Sequence, residues 1–338
     1  MTNISARWVF SDPLEYGRFI RWPVFETVQV SGQQFAAALV RMDLGAVWMQ
    51  NFWETAPRIA RIARIAPDPS RRAIIFRTWE QSNAQGLLRH GGYEVPGDTV
   101  LFLGPGAAEM QVIDGAVAFG SMSVASQDLE RLGHLLGGGA DLAGLHETTP
   151  FRPTPDHLFR LRFLHQEAVR MAVVRDRRLN DPQIARAFES HLAYAMVRCM
   201  GYGAVSEDGS YIRQRADLIR KFEDYIDAHT NEAIYVAEIC QALAVSVRTL
   251  ERICQEQIGV GPIRYLWLRR LHLARRALVE SDASETSVSK IAAAYGFWEF
   301  GRFSVRYKTL FGESPSVTLH QARRSLVPLP DPLALGRS

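Results

Sequence analysis

The sequence predicts an α+β protein with a β-rich N-terminal half and an all-α C-terminal half. Runs of alternating apolar and polar residues, separated by Gly, Pro and Asp turns, occur up to about residue 124. From about residue 155 the apolar spacing becomes helical, and the last third contains one helix–turn–helix pattern twice. At 338 residues the chain is long enough for two domains. Its 47% apolar and 22% charged residues exclude a disordered chain.

Residues 1–150 are predicted to form the β-rich domain, folded as a barrel or a sandwich. Turn residues such as Pro96-Gly97-Asp98 and Asp114-Gly115 separate the predicted strands. A helix at 126–136 ends at the three glycines 137–139. Strands are expected at residues 24–30, 35–44, 46–53, 72–79, 98–104 and 116–124.

Residues 151–200 are predicted to form a helical hairpin. Its first helix begins near Pro155, and its second begins at Asp181-Pro182, an N-cap residue followed by a proline. The hairpin either completes the N-terminal core or serves as a dimerisation surface, which would make the protein a homodimer. The residues expected on its inner faces are Leu158, Leu161, His165, Ala168, Ala172, Ile184, Phe188, Leu192, Ala195 and Cys199. Residues 201–210, GYGAVSEDGS, are predicted as a linker and 326–338 as a loose tail.

Residues 211–325 are predicted to form a domain with two helix–turn–helix units. The first spans 236–258, where Ser246 is the N-cap of the second helix. The other spans 288–311, where Gly296 makes the turn and Phe297 fills it. The helix between them, about 18 residues or ~27 Å long, could hold two DNA-contacting helices one turn of DNA apart. The segment contains 17 Lys and Arg against 13 Asp and Glu, an excess that favours phosphate contact.

The exposed faces of the two second helices are the predicted DNA contacts. Arg248 and Arg252 lie one turn apart and suit bidentate contacts to guanine O6 and N7. Hydroxyl groups of Ser246 and Thr249 suit phosphate oxygens. The full predicted DNA-binding set is Ser246, Val247, Arg248, Thr249, Arg252, Phe300, Gly301, Arg302, Val305, Arg306 and Lys308.

This double unit resembles the AraC family of bacterial transcription regulators. The resemblance covers about residues 215–322 and is carried by VSVRTLERI, by the GVGP that opens the connecting helix, and by IAAAYGF with RFSVRYKTLFGESPS. It implies double-stranded DNA as a partner, RNA polymerase as a second one, and activation of transcription. The family's base-contact positions fall on Arg248 and Arg252 and on Phe300, Gly301 and Val305. The last three side chains cannot hydrogen-bond a base edge, so the second unit is expected to supply phosphate contacts and thymine-methyl packing.

The β-rich half resembles, on turn spacing and on GGYEVPGDTVLFLGPG, the cupin-like sensor domain of such regulators. The layout is nearest to the ethanolamine-utilisation regulators of the family. This resemblance implies that a small-molecule effector modulates the protein. The aromatic residues Trp48, Trp53, Phe76 and Trp79 are candidates for an effector pocket, and the alternative is that they form the barrel core.

Composition and motifs favour no catalytic, metal or cofactor site. His90 is the one histidine before Val124 and is expected to be a solvated loop residue rather than a ligand. The three cysteines Cys199, Cys240 and Cys254 form no metal-binding or disulfide pattern. A redox-responsive or ligand-independent regulator and an enzyme fused to a DNA-binding domain remain alternatives to the effector-modulated regulator. With no signal peptide and no membrane span in the sequence, the protein is expected in the cytoplasm.

Overall fold

A computed structural model provides the structure of the protein. It describes residues 6–20, 25–62, 70–78, 86–104, 109–135, 145–174, 176, 178, 181–201, 204–205, 209–229 and 234–321. The predicted tail 326–338 and Trp79 lie outside the described residues. Among the helices described, none combines the length and the apolar character needed to cross a membrane.

Strands and helices segregate along the chain as the sequence predicts. The strands are β1 (Ala6–Phe10), β2 (Phe25–Gln29), β3 (Ala37–Asp43), β4 (Val47–Glu54), β5 (Arg58–Ile62), β6 (Arg71–Arg77), β7 (Leu87–His90), β8 (Tyr93–Glu94), β9 (Val100–Leu103), β10 (Glu109–Asp114), β11 (Val117–Ala125), β12 (Thr149–Arg152) and β13 (Ala204–Val205). The helices are α1 (Pro13–Phe19), α2 (Ser126–Leu135), α3 (Pro155–Val173), α4 (Pro182–Gly201), α5 (Gly209–Ala228), α6 (Val236–Ala242), α7 (Val247–Ile258), α8 (Pro262–Glu280), α9 (Val288–Ala294), α10 (Phe300–Phe311) and α11 (Pro315–Gln321).

The strands form two antiparallel sheets. The larger sheet has the order β1-β3-β4-β11-β6-β9-β12-β13, and the smaller has the order β2-β5-β10-β7-β8. All six predicted strands are present, and five of them lie in the larger sheet. The predicted linker is partly strand, because Ala204 and Val205 pair with Arg152 and Phe151 at the sheet edge.

The larger sheet has two buried faces because alternate side chains of a strand point to opposite sides. On β6, Ala73 and Ile75 contribute to a core shared with the smaller sheet and α1. Ile74 and Phe76 contribute to a second core, shared with α2, α3 and α4. The sheet is therefore covered on both sides, and its strands β9 and β11 are almost continuously buried.

The helical hairpin completes this second core. All five residues predicted on the inner face of α3 are buried, and so are Leu192, Ala195 and Cys199 of α4. Ile184 was expected to face inward and does not: it lies in the first turn of α4 and is exposed. The structure confirms the packing role of the hairpin.

A buried ion pair links the two sheets. Glu54 lies on β4 and Arg58 on β5, and both side chains are fully buried. The Tyr16 hydroxyl donates to Glu54 Oε1 at 2.7 Å, and Arg58 Nη2 donates to Gln111 Oε1 at 2.7 Å. Burial beside this carboxylate raises the pKa of Tyr16 well above its ordinary value, so the phenol stays a donor. These contacts satisfy charges that would otherwise be costly to bury.

The chain divides into two compact units at the start of α8. The described residues up to Pro262 form the first unit, and those from Ile263 form the second. The first helix–turn–helix, α6 and α7, thus belongs to the same compact unit as the β-sheets. The predicted boundary at residues 201–210 separates the helical hairpin from α5 but does not separate the compact units.

His165 gives the first unit a dependence of stability on pH. The imidazole is buried on α3, with Nε2 3.2 Å from the Gln50 carbonyl oxygen and its ring edge-on to Phe76. Burial lowers its pKa from about 6.5 to about 4. The unfolded chain therefore binds the proton first as the pH falls. We expect about 3 kcal/mol of unfolding free energy to be lost between pH ~6.5 and pH ~4.

The measurement is urea unfolding from pH 7 to pH 4 of the wild type and of His165→Gln. An amide at this position can still donate to the Gln50 carbonyl, and it does not titrate. The difference in unfolding free energy between the two proteins should shrink by about 3 kcal/mol across this range. His320→Gln, at an exposed position, is the matched control and should follow the wild type. A difference that is constant with pH would contradict the assignment.

Candidate nucleic-acid interface

The first helix–turn–helix is built from α6 and α7. Its turn contains Ala244 in the left-handed conformation, with φ +53°, and Val245 N–H donates to the Cys240 carbonyl at 3.0 Å. Ser246 caps α7 as predicted, because its hydroxyl accepts the Thr249 N–H at 3.1 Å. Leu250 and Ile253 are buried, which fixes the opposite face of α7 toward solvent.

That outer face presents the predicted reading residues. Ser246, Val247 and Arg248 are exposed at the start of α7, and Thr249 is half-buried. Arg252 is exposed one turn later and lies 3.4 Å from the Glu256 carboxylate. The two arginines therefore lie on one accessible face at helical spacing. They can reach base edges, which a helix in the major groove contacts through its N-terminal residues.

The second helix–turn–helix is built from α9 and α10. Gly296 has φ +78°, a conformation that favours glycine, and makes the predicted turn. The ring of Phe297 lies 4.9 Å from that of Phe303, which anchors the turn on the helix. Glu299 is the N-cap residue of α10, but its carboxylate binds Arg302 at 2.9 Å and not the helix backbone.

The outer face of α10 differs in chemistry from that of α7. The predicted contact residues Phe300, Gly301, Arg302, Val305, Arg306 and Lys308 are all exposed. Between Phe300 and Phe311 the helix has three cations and no acidic residue. In α7, by contrast, Arg248 and Arg252 are balanced by Glu251 and Glu256. The second helix is therefore the more strongly electropositive of the two.

Trp298 is an exposed residue that the sequence pattern did not single out. It precedes the N-cap of α10 and is 76% exposed. A large apolar residue in this position often packs onto the helix as a staple. Here Phe297 makes the contact with Phe303 instead. An aromatic residue two positions after the turn glycine was the available signal.

The last turn of α7 is fastened to the β-sheet within the first unit. The Glu256 carboxylate pairs with the buried Arg215 of α5, and Arg89 of β7 donates to the Glu256 carbonyl. Gly92 lies next to this contact, with φ +84°, a conformation that favours glycine. The position of α7 is thus coupled to the strands.

A cleft lies beside this contact, between the smaller sheet and α5. Its volume is about 400 Å³, within the range of small-molecule sites. Its walls include Ala216 of α5 and Gln257 of α7. The charged groups lining it are Arg61, Arg213 and Arg220 and the acidic residues Glu109, Glu147, Asp217, Glu223 and Asp224. A polar ligand held here would touch both the smaller sheet and α7.

The three predicted effector-pocket aromatics that the structure describes, Trp48, Trp53 and Phe76, are not brought together. Phe76 is buried in the core under the helical hairpin, next to His165. The Arg71 guanidinium lies over Trp48, 3.7 Å from the centroid of the tryptophan ring, and Trp53 is half-buried. Neighbouring strand positions alternate in direction, so Trp48 and Trp53 lie on opposite faces of β4. Neither residue, nor Phe76, lines the cleft.

His90 is not the solvated loop residue that the sequence predicts. It lies on β7, is 1% exposed, and places Nε2 3.0 Å from a Glu109 carboxylate oxygen. The other carboxylate oxygen of Glu109 accepts the Thr148 hydroxyl. Within the described residues, no group of three His, Cys, Asp or Glu side chains is arranged to hold a metal ion. The space around His90 between the sheets is about 40 Å³, room for a water molecule or two but not for an effector.

Comparison with known proteins agrees with the double helix–turn–helix. Residues 239–321 match a family described as a helix-turn-helix domain. The chain is 37% identical over 102 residues to a probable thc operon regulatory protein of Rhodococcus erythropolis, covering 30% of this chain and 31% of that protein. It is 30% identical over 102 residues to the XylDLEGF operon transcriptional activator of Pseudomonas putida, covering 30% and 32%. A probable AraC family transcriptional regulator of Rhodopseudomonas palustris is similar at 30% identity, covering 31% of this chain and 97% of that structure, with a TM-score of 0.30.

The chain carries a helix-turn-helix domain of the AraC family. Its AraC-type domain is what these proteins share with it. The matched segment spans about a third of the length of the first two relatives.

Cys199, Cys240 and Cys254 are all buried. Cys240 lies on α6 and Cys254 on α7, and Cys199 lies in the core under the hairpin. Burial raises the pKa of Cys254 and of Cys199 to about 12, and it also raises the pKa of Cys240. Because the thiolate is the nucleophile, these thiols are unsuited to redox sensing near neutral pH.

We expect the folded protein to resist iodoacetamide at pH 7.5, with all three thiols alkylated only in denaturant. Mass spectrometry of the alkylated chain is the measurement. Rapid alkylation of Cys240 or Cys254 under native conditions, or loss of DNA affinity after peroxide treatment, would favour the redox-responsive alternative.

Proposed function

We propose that the protein is a sequence-specific DNA-binding transcription regulator that contacts DNA through α7 and α10. The observation that carries this proposal is the pair of helices in the AraC-type domain, each with a buried apolar face and an exposed face bearing arginines. We further propose that the two helices occupy two successive major grooves of one duplex. The length of α8, 19 residues or ~28 Å, supports this spacing.

The two helices are proposed to divide the work of recognition. Arg248 and Arg252 of α7 would read base edges through bidentate hydrogen bonds, with Ser246 and Thr249 on phosphates. On α10, Arg302, Arg306 and Lys308 would bind phosphates. The unequal charge of the two helices supports this division, because phosphate attraction depends on net positive charge.

The partners of the whole protein are also proposals. Activation through RNA polymerase rests on the relatives, which are described as operon activators and regulators. Homodimerisation through the helical hairpin is supported by Phe159 and Phe163, which are exposed on the outer face of α3. A DNA ligand would place the protein in the cytoplasm. No described feature favours the fused-enzyme alternative.

We propose that a polar effector binds in the cleft between the smaller sheet and α5. The support is the contact of this cleft with Gln257, in the turn of α7 that Arg89 and Arg215 hold. A ligand shifts a conformational equilibrium only if its affinity differs between the two states. Occupancy of the cleft meets that condition when it changes how the last turn of α7 sits on the sheet.

Substitution of the α7 arginines tests the proposed readout. Arg248→Ala and Arg252→Ala should each relax base preference at one or two positions and cost about 1–3 kcal/mol of binding free energy. Lys308→Ala is the matched control: it should weaken binding to all sequences alike and lower the salt dependence by about one ion. The measurement is affinity against a library of single-base variants of the bound duplex. If Arg248→Ala lowers overall affinity and leaves base preference intact, the assignment is wrong.

Filling the cleft tests the effector site. Compounds from a metabolite panel that raise the Tm of the wild type should lose this effect in Ala216→Phe, because the ring would occupy the cleft. Trp48→Leu is the control for the aromatic positions and should keep the effect. The opposite pattern, loss in Trp48→Leu and retention in Ala216→Phe, would move the effector site to the aromatic residues.

A further inference from the structure

The outer face of α10 carries an apolar surface that the core of the second unit does not explain. Four residues form this surface, which we name the apolar reading surface: Trp298, Phe300, Gly301 and Val305. Val305 is 67% exposed and Phe300 43% exposed. Large exposed apolar groups are disfavoured in water, so a group of them on one helix indicates a surface that is covered when the protein functions.

The position of this surface on the helix is that of a base-contacting face. Phe303, Tyr307 and Leu310 form the buried stripe of α10. Gly301 and Val305 are four residues apart and lie on the opposite side of the helix. Helices that enter the major groove present their outward N-terminal residues to base edges, and Gly301 and Val305 lie on the outward side of the first two turns.

Two arginines lie along one side of the apolar reading surface, and a lysine lies at its C-terminal end. Arg302 and Arg306 follow Gly301 and Val305 by one residue each, and Lys308 lies one turn further along. Arg306 also lies over the Trp267 ring of α8, 5.3 Å from its centroid, which directs its side chain to one side. An apolar surface with positive charge along one side and at its end matches a thymine-containing groove, in which methyl groups lie beside the phosphate backbone.

Gly301 gives an independent indication of close approach. A Cβ built at this position would meet no atom of the protein within 4 Å. Gly301 does not have a positive φ, so neither packing nor backbone conformation requires glycine here. Glycine nevertheless weakens a helix relative to alanine. Its use is explained if the backbone of α10 must come closer to a ligand than a side chain would allow.

We infer that the apolar reading surface recognises thymine through its 5-methyl group, with Gly301 allowing α10 to approach the bases. The second helix–turn–helix then determines sequence as well as anchoring the protein on phosphates. This inference rests on the proposed DNA-binding function. It assigns to that function a base preference, carried by Val305 and Phe300, with Trp298 at the edge of the surface.

Replacing thymine by deoxyuridine tests the inference, because this change keeps base pairing and removes only the methyl group. The probe is the duplex that the full-length chain selects from random sequence. The half-site of α10 is the one whose base preference Arg248→Ala and Arg252→Ala leave unchanged. Each contacted methyl that is removed there should weaken wild-type binding by about four-fold.

Variants separate methyl recognition from general binding. Val305→Ala should lose the discrimination between thymine and uracil at one position. Lys308→Ala is the control and should weaken binding to both duplexes equally. Gly301→Ala should weaken binding to the thymine duplex while its Tm stays equal to or above that of the wild type, because the added methyl meets open space.

Three outcomes would overturn the inference. Equal wild-type affinity for the thymine and uracil duplexes overturns methyl recognition and leaves the proposed function intact. So does full discrimination retained by Val305→Ala. If replacing thymine by uracil leaves the affinity unchanged and Trp298→Ser changes the oligomeric state, the apolar reading surface is a contact between protein copies. Failure of the chain to select any duplex would instead refute the proposed function itself.

Discussion

The position of α7, the first of the two proposed DNA-contacting helices, depends on Glu256. Its carboxylate pairs with Arg215 of α5 and lies within reach of Arg252, and its carbonyl accepts from Arg89 of β7. One residue therefore joins the sheet, the helix that follows the hairpin, and the helix that presents Arg248. A helix held at its C-terminal end leaves its N-terminal end accessible, which is the end that reads base edges. The same residue places the neighbouring Gln257 on the wall of the cleft.

The two helix–turn–helix units share a scaffold and differ in their surfaces. In both, a buried apolar stripe fixes the helix and turns its other face outward. On α7 that face is polar and its charges balance, which suits hydrogen bonding with little attraction to phosphates. On α10 it is apolar at Gly301 and Val305, with arginines along one side and a lysine at the C-terminal end. Under the proposed thymine recognition, the specificity of the second unit would depend on shape and methyl contacts, and its affinity on charge.

Local patterns were sufficient for five strands of the larger sheet and for most of the helices, but they did not indicate β1, β12, β13 or α1. Periodicity located α3, α7 and α10, because in each of them an apolar stripe repeats with helical spacing. Most strands of the smaller sheet were not predicted from the sequence. Its strands β5, β7 and β10 are short and contain charged or amide residues, as in RIARI and EMQVID. Arg58 and Gln111 are hydrogen-bonded to each other across 53 positions of sequence, a separation that no local pattern shows.

The same limit applies to the candidate sites. His90 is buried because Glu109, nineteen positions away, lies beside it in the folded sheet. Trp48 and Trp53 were predicted to share a pocket, but their odd spacing along β4 places the two rings on opposite faces of the sheet. The exposed faces of α7 and α10 were predictable because the cap, the turn and the apolar stripe lie within a dozen residues of one another.

The central claim is that the two units read DNA by different chemistry. Selection of binding sites from random duplexes by the full-length chain tests it most directly. The account predicts two short motifs about one helical turn apart, one containing guanine opposite Arg248 and Arg252, the other rich in thymine. A single contiguous motif, or two copies of the same motif, would contradict it.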